Sequence, residues 1–289
     1  MQPLNDRLEG KQIARLLALL VFIVAIHRAH ADESGVSFWL PGTFGSFAAL
    51  RGDPGWSLPL TYYHSSVNDD AGSDLLLITP TYVLPAPIMG AQATVALGTR
   101  LGRVEAASGG ERDSRSGVGD LYPTLLLKTN NGVHNYMSYT MVGVPAGAYQ
   151  ASRLANLGTN HWSLDGGGGY TYWNDKTGRE FSAVLGLTYN FRNPDTDYRN
   201  GLSSHVDWAA SQTFSPQSYL GVVGYSYYQL AGDSGTDNKS KVSAIGPQAG
   251  WFFKRGEQRW SVNLKGCFEF GARNRPDGWN AWLTLAMPL

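Results

Sequence analysis

The chain has 289 residues with 23 Lys+Arg against 23 Asp+Glu, so its formal net charge is zero and the broad basic surface of a nucleic-acid binder is excluded. Charged residues make up only 16%, well below the roughly 25% of an ordinary soluble domain, and aromatics reach 12%, which excludes intrinsic disorder. A single Cys excludes an intramolecular disulfide and any multi-cysteine metal site.

Arg7, Lys11 and Arg15 form a positive region, followed by the apolar run Leu16–Ile26 and the small-x-small triplet Ala29-His30-Ala31. A run of about eleven residues suits a signal-peptide core and is too short to span a bilayer. Residues 1–31 are therefore expected to be a signal peptide cleaved after Ala31, leaving a near-neutral mature chain. Residues 32–55 come next and are apolar for a leader, with Phe38, Trp39, Leu40, Phe44 and Phe47.

From Trp56 onward the pattern has period two, with Gly, Pro and Asn as punctuation and no long segment at helical spacing. Ala91, Ala93, Val95, Leu97 and Leu101 oppose Gln92, Thr94, Gly98 and Arg100. Phe181, Leu185, Leu187 and Tyr189 oppose Glu180, Ser182, Thr188 and Asn190; Trp260, Val262, Leu264, Phe268 and Phe270 oppose Ser261, Asn263, Lys265, Cys267 and Glu269. Three segments, Leu75–Leu84, Tyr136–Val144 and Tyr219–Leu230, are apolar or aromatic on both faces, and their outward face is not set by pattern.

About twelve strands are expected, starting near Trp56, Leu75, Ala91, Val118, Val133, Trp162, Glu180, His205, Tyr219, Ser243, Arg259 and Trp279. Short gaps such as Asn130-Asn131-Gly132 and Asn174–Gly178 alternate with long polar ones: Ser65–Asp74, Gly102–Ser116, Pro145–His161, Arg192–Ser204, Ala231–Val242 and Gly271–Gly278. Strands of about ten residues, sorted loop lengths, aromatics near strand ends and an apolar closing strand to Leu289 predict an all-β fold. It is a transmembrane antiparallel up-and-down β-barrel of outer-membrane type over residues 56–289, with tight periplasmic turns and longer outer loops.

Inside such a barrel, Arg100, Asp120, Lys128, Asp165, Glu180, Asp207, Lys265 and Glu269 are lumen candidates, able to line a pore or to plug it with ion pairs. The segment 32–55 is expected either in the lumen or as a periplasmic cap, with insertion favoured. Phe38, Trp39, Phe44 and Phe47 would then line a hydrophobic substrate path. Gly166–Gly169 precedes a strand pattern, so close approach of another segment fits it better than a phosphate loop. His64 and Ser66 lie two apart on the face of Leu58, Leu60 and Tyr62, a Ser-His pair on a barrel exterior whose chemistry would also need a polar group to orient the His, with Asn68 nearby in sequence. Asp195, Asp197 and Asn200 miss the spacing of a calcium loop, and Cys267 reads as a passive small side chain.

Ser37–Leu50 (SFWLPGTFGSFAAL), Pro54-Gly55-Trp56, Tyr62-Tyr63-His64, Gly117–Leu121, Gly178–Gly186 with Asn190-Phe191, and the ending Asn274–Leu289 resemble an outer-membrane protein family of Gram-negative bacteria, that of the meta-pathway of phenol degradation. The resemblance covers nearly all of the mature chain and rests on structural rather than catalytic motifs. It implies passage of small hydrophobic, often aromatic, molecules across the outer membrane. The expectation is a monomeric, non-enzymatic, cofactor-free channel in outer-membrane lipid, inserted by the barrel assembly machinery. The alternatives are a structural barrel with a plugged lumen and a phospholipase-like hydrolase.

Overall fold

The computed structural model describes residues 37–67 and 71–289; the expected signal peptide, residues 32–36 and Asn68 lie outside them. The described residues form one antiparallel sheet of thirteen strands. These are β1 (Gly55–Val67), β2 (Ala71–Ile78), β3 (Thr81–Val83), β4 (Gln92–Ser108), β5 (Glu111–Asn131), β6 (His134–Gly143), β7 (Ser163–Asn174), β8 (Arg179–Asn190), β9 (Ser203–Ser215), β10 (Ser218–Gln229), β11 (Lys241–Arg255), β12 (Gln258–Arg273) and β13 (Trp279–Pro288). β13 pairs back onto β1 from Ser57↔Pro288 to Ser66↔Trp279. The sheet is therefore a closed barrel with no free edge. β2 and β3 share one place in the wall, between β1 and β4, broken at Thr79-Pro80 where proline has no N–H to give. The break is bridged by Thr79 N–H donating to Pro59 O and Leu97 N–H donating to Pro80 O. The wall thus has twelve positions.

Alternation sets the two faces. Val95, Leu97, Phe181, Leu185, Leu264, Phe268 and Leu283 stand outward and exposed, while Arg100, Glu180, Val184, Lys265 and Cys267 point inward and are buried. Ala91 and Ala93, expected outward, are buried. Exposed aromatics sit near both rims: Trp56, Trp251 and Phe253 by the short turns, Trp162, Tyr189, Phe191 and Trp279 by the long loops.

Two of the expected long loops are strand. Gly102–Ser116 is the paired upper part of β4 and β5, turning at Gly109-Gly110, both with positive φ. Ser65–Asp74 is likewise mostly paired, Val67↔Ala71 being the last pair before residues 68–70. The reason is solvent. A hairpin that projects beyond an apolar belt faces water on its outer side, so its outward residues, such as the Arg103–Glu105 pair at 2.9 Å, have loop-like composition. Its inward Val104 packs with Ala155 and Leu157 of the loop 144–162. Arg153 clamps that loop onto the hairpin through both oxygens of Asp113, at 3.1 and 2.5 Å.

The three segments of ambiguous face resolve through what they surround. Leu75, Met137, Tyr139, Tyr219, Val223, Tyr225 and Tyr227 all point inward and are buried. They are apolar on both faces because lipid-type exposure lies outside and apolar neighbours lie inside: residues 37–54 for Met137, Tyr139 and Tyr219, Ala155 and Leu157 of the loop 144–162 for Leu75, and Val242, Ala244 and Cys267 of the wall for Val223, Tyr225 and Tyr227. Phe38, Trp39 and Ala49 cluster with Tyr122, Met137, Tyr139 and Val184.

Two outcomes are expected. Leu185, 57% exposed near the middle of β8, should tolerate apolar replacement, whereas Leu185→Arg should cost about 2–4 kcal/mol at mid-depth in a bilayer, measured by urea titration of folding into vesicles. Second, Arg153 and then the Ala155 N–H hold the Asp113 carboxyl at about 2, below its ordinary 3.8. A depressed pKa gives stability that is complete above the ordinary value and lost as pH falls through the folded one. Pepsin cleavage within residues 145–161 should therefore rise as pH drops from about 4 to about 2, and Asp113→Asn should be cleaved readily at the upper pH already.

Candidate functional site in the barrel interior

Residues 37–54 have no strand partner, so each backbone group taken from water needs another one. The wall supplies them with side chains. Asp207 on β9 accepts from Gly42 N–H at 3.0 Å and from Phe44 N–H at 2.9 Å. Lys265 on β12 donates to the carbonyls of Gly42 and, at 3.4 Å, Phe44. Glu180 on β8 accepts from Phe47 N–H at 3.0 Å and from the Ser46 hydroxyl at 2.7 Å. Thr171 accepts from Ala49 N–H at 3.0 Å, and Lys128 on β5 donates to Leu50 O at 2.9 Å. Gln92 closes a reciprocal pair with Gly52, both bonds 2.9 Å. Arg100 donates to Ser37 O at 3.1 Å. Opposite charges thus alternate along one peptide, each spent on a backbone dipole.

Deeper contacts fix the aromatic side chains. The Trp39 indole stacks on the His205 imidazole, ring centroids 3.6 Å apart and 17° from parallel. Beneath it, Asp165 accepts from Tyr139 at 2.6 Å and Thr188 at 2.5 Å and pairs with His205 Nε2 at 3.1 Å. Space for this layer comes from the glycine run on β7 and from Gly186 on β8. A Cβ at Gly167 would strike the Tyr139 ring, one at Gly169 would crowd Met137 and Val184, and one at Gly186 would strike both Tyr139 and His205. Phe47, at φ 66, enters the left-handed region that non-glycine residues seldom occupy. Its ring meets Trp173, Tyr219 and Phe252 edge-on, at 5.1, 5.1 and 6.2 Å.

The eight charged lumen candidates all lie on the inner face, but they divide by task. Arg100, Lys128, Glu180, Asp207 and Lys265 bind the segment directly, and Asp165 supports Trp39 through His205. Asp120 instead accepts from Gly147 and Thr159 of the loop 144–162, and Glu269 accepts from Tyr225 and faces Arg275. Among the aromatic candidates, Phe38 and Trp39 line a cavity of about 140 Å³ beside β2, β4, β5 and β6. Phe44 packs on Trp39 and Tyr139, and Phe47 is used up in its own cluster. Sequence inspection missed Tyr139, Thr171, His205 and Gln248, whose amide donates to the Ser46 hydroxyl at 2.6 Å; only Thr171 and His205 carry a signal, sharing the inward parity of Asp165 and Asp207 along β7 and β9.

On the outer face, His64 Nδ1 lies 2.8 Å from Asp74 Oδ1 and its ring packs on Trp279. Among the described residues no hydrogen bond joins Ser66 to it.

Asp207→Ala strands the Gly42 and Phe44 amides. An unpartnered buried amide costs about 1–3 kcal/mol, so segment 37–54 should lose amide protection in hydrogen exchange while the strand amides keep theirs. Asp120→Ala should leave the segment protected and expose the loop 144–162 instead.

Comparison with known proteins adds the family. No curated protein matches the sequence. Among solved structures the chain is similar to an outer membrane channel from Pseudomonas putida F1, at 18% identity and a TM-score of 0.73 over 87% of this chain and 100% of that one. At that identity the likeness is one of fold, a closed antiparallel barrel of outer-membrane type. Weaker likenesses are to a bacterial polysaccharide outer membrane secretin (10% identity, TM-score 0.39, 81% and 98% covered) and to OccAB4 of Acinetobacter baumannii (9%, 0.29, 80% and 96%); neither bears on function. The profile of the family described as "Putative MetA-pathway of phenol degradation" matches residues 61–285, most of the barrel wall, and the chain belongs to that family.

Proposed function

We propose that this protein is a monomeric outer-membrane channel through which small hydrophobic solutes, aromatic ones included, diffuse passively toward the periplasm. Export would follow cleavage after Ala31, with the long loops outside the cell and the short turns in the periplasm. The observation that carries the proposal is the filling of the barrel. A porin for ions or sugars needs a wet lumen lined by unspent polar groups. Here five of the eight inward charges bind the backbone of residues 37–54 and the others bond to wall or loop groups, while the space left beside Phe38 and Trp39 is lined by Leu40, Leu77 and Met141 together with threonines, Tyr122 and Arg100. An apolar solute sheds its hydration on entering such a space. Family membership and the fold shared with an outer membrane channel support the same reading.

A structural barrel with a permanently plugged lumen is the second reading, favoured by the density of hydrogen bonds on residues 37–54. Deleting Ser37–Leu50 separates the two. For a channel, the deleted protein should insert, conduct ions at a clearly higher level in planar bilayers, and lose its preference for toluene over glucose in cell uptake. No toluene uptake by the unaltered protein, with conductance appearing only after the deletion, would leave the structural barrel standing.

A further inference from the structure

The cavity of about 140 Å³ lies between Phe38, Trp39 and Leu40 of the segment and Leu77, Tyr122 and Met141 of the wall. Its size is close to that of the roughly 150 Å³ apolar cavity that stays dry and accepts benzene. Thr43, Thr79, Thr99 and Thr124 also line it, and two further lining side chains bring N–H groups without acceptors. Arg100 is 2% exposed; its Nη2 serves Ser37 O and the Tyr122 hydroxyl, but Nε and Nη1 have no partner. Trp39 is 3% exposed, and its Nε1 has no partner either.

Arg100 forms no ion pair among the described residues. Asp120, on the adjoining strand β5, has both oxygens taken by Gly147 and Thr159. A buried cation without an anion, and buried N–H groups without acceptors, are both costly. Both deficits are of the same kind, missing acceptors, and both belong to residues lining one ring-sized space. A ligand that corrects them brings oxygen acceptors with negative charge and fills the rest with an apolar ring.

The geometry points to a binding site for a one-ring aromatic carboxylate of benzoate size, its ring against Phe38, Leu77 and Met141 and its carboxylate on Arg100 and Trp39. This rests on the interior being a path for small apolar solutes, and it narrows the cargo to acids of that class. An apolar ring alone would leave the Arg100 deficit in place, and a cationic one would worsen it.

The test uses the purified mature protein in detergent and isothermal titration calorimetry with benzoate and benzylamine, which share a ring and differ in charge. Benzoate should bind at least tenfold more tightly than benzylamine. Arg100→Met should erase that preference, Arg100→Lys should keep part of it, and Trp39→Phe should weaken benzoate severalfold; heat-modifiable gel migration checks that each variant is folded. Equal affinity for the two ligands in the unaltered protein overturns the site, whatever the variants do. Uptake of labelled toluene by cells with and without the protein is scored separately. Toluene uptake without a benzoate preference overturns the site alone, whereas benzoate binding without toluene uptake upholds the site and overturns the channel.

Discussion

A peptide threaded through a closed barrel has no strand edge to pair with, because every wall strand already has two neighbours. Its amides and carbonyls nonetheless leave water. An unpartnered buried amide costs about 1–3 kcal/mol, so a stretch such as residues 37–54 stays inside only if side chains complete it. Asp207, Glu180 and Thr171 accept from its N–H groups, and Lys265, Lys128 and Arg100 donate to its carbonyls. Most of what is unusual inside this barrel follows from that requirement.

It accounts first for charge. Buried ions of opposite sign bonded to one another would neutralise themselves and leave the peptide unsatisfied. Here both Asp207 and Lys265 bond to the same short turn around Gly42, so the pair acts as a clamp on a backbone. It accounts next for shape. A Trp indole laid flat over His205 leaves little depth for the wall beneath it, and glycines on β7 and β8 provide that depth by omitting Cβ atoms under Tyr139 and His205. It accounts also for the apolar inner faces of β6 and β10, which would be wasteful against water and are favourable against Phe44 and Phe47.

The hold is strong but uneven, and the unevenness is where function enters. From Gly42 to Gly52 the segment is tied at almost every turn. Around Phe38 to Leu40 it is held mainly by ring contacts and by Arg100, and there the packing leaves a ring-sized space with donors to spare. The looser part borders the cavity proposed to take a solute.

The sequence alone determined the barrel. Period-two alternation, about ten residues per strand and Gly/Asn turns fix strand number and facing, because each outward residue must suit lipid and each inward one must not. That logic located β8, β12 and β13 and put all eight charged candidates on the inner face. It failed where the surroundings change: the β4–β5 hairpin leaves the apolar belt, so residues 102–116 lost their signature while keeping their pairing. It was silent on β2, β6 and β10, whose inner faces meet apolar neighbours from the segment, the loop 144–162 or the wall rather than water. Only the tertiary structure decided which charge does which work. Asp120 and Asp207 look alike in sequence, each an acid on the polar face of a strand, yet one anchors a loop and the other holds the segment. That difference depends on which residues, far apart in the chain, meet across the lumen, and alternation along a strand carries no information about what lies opposite.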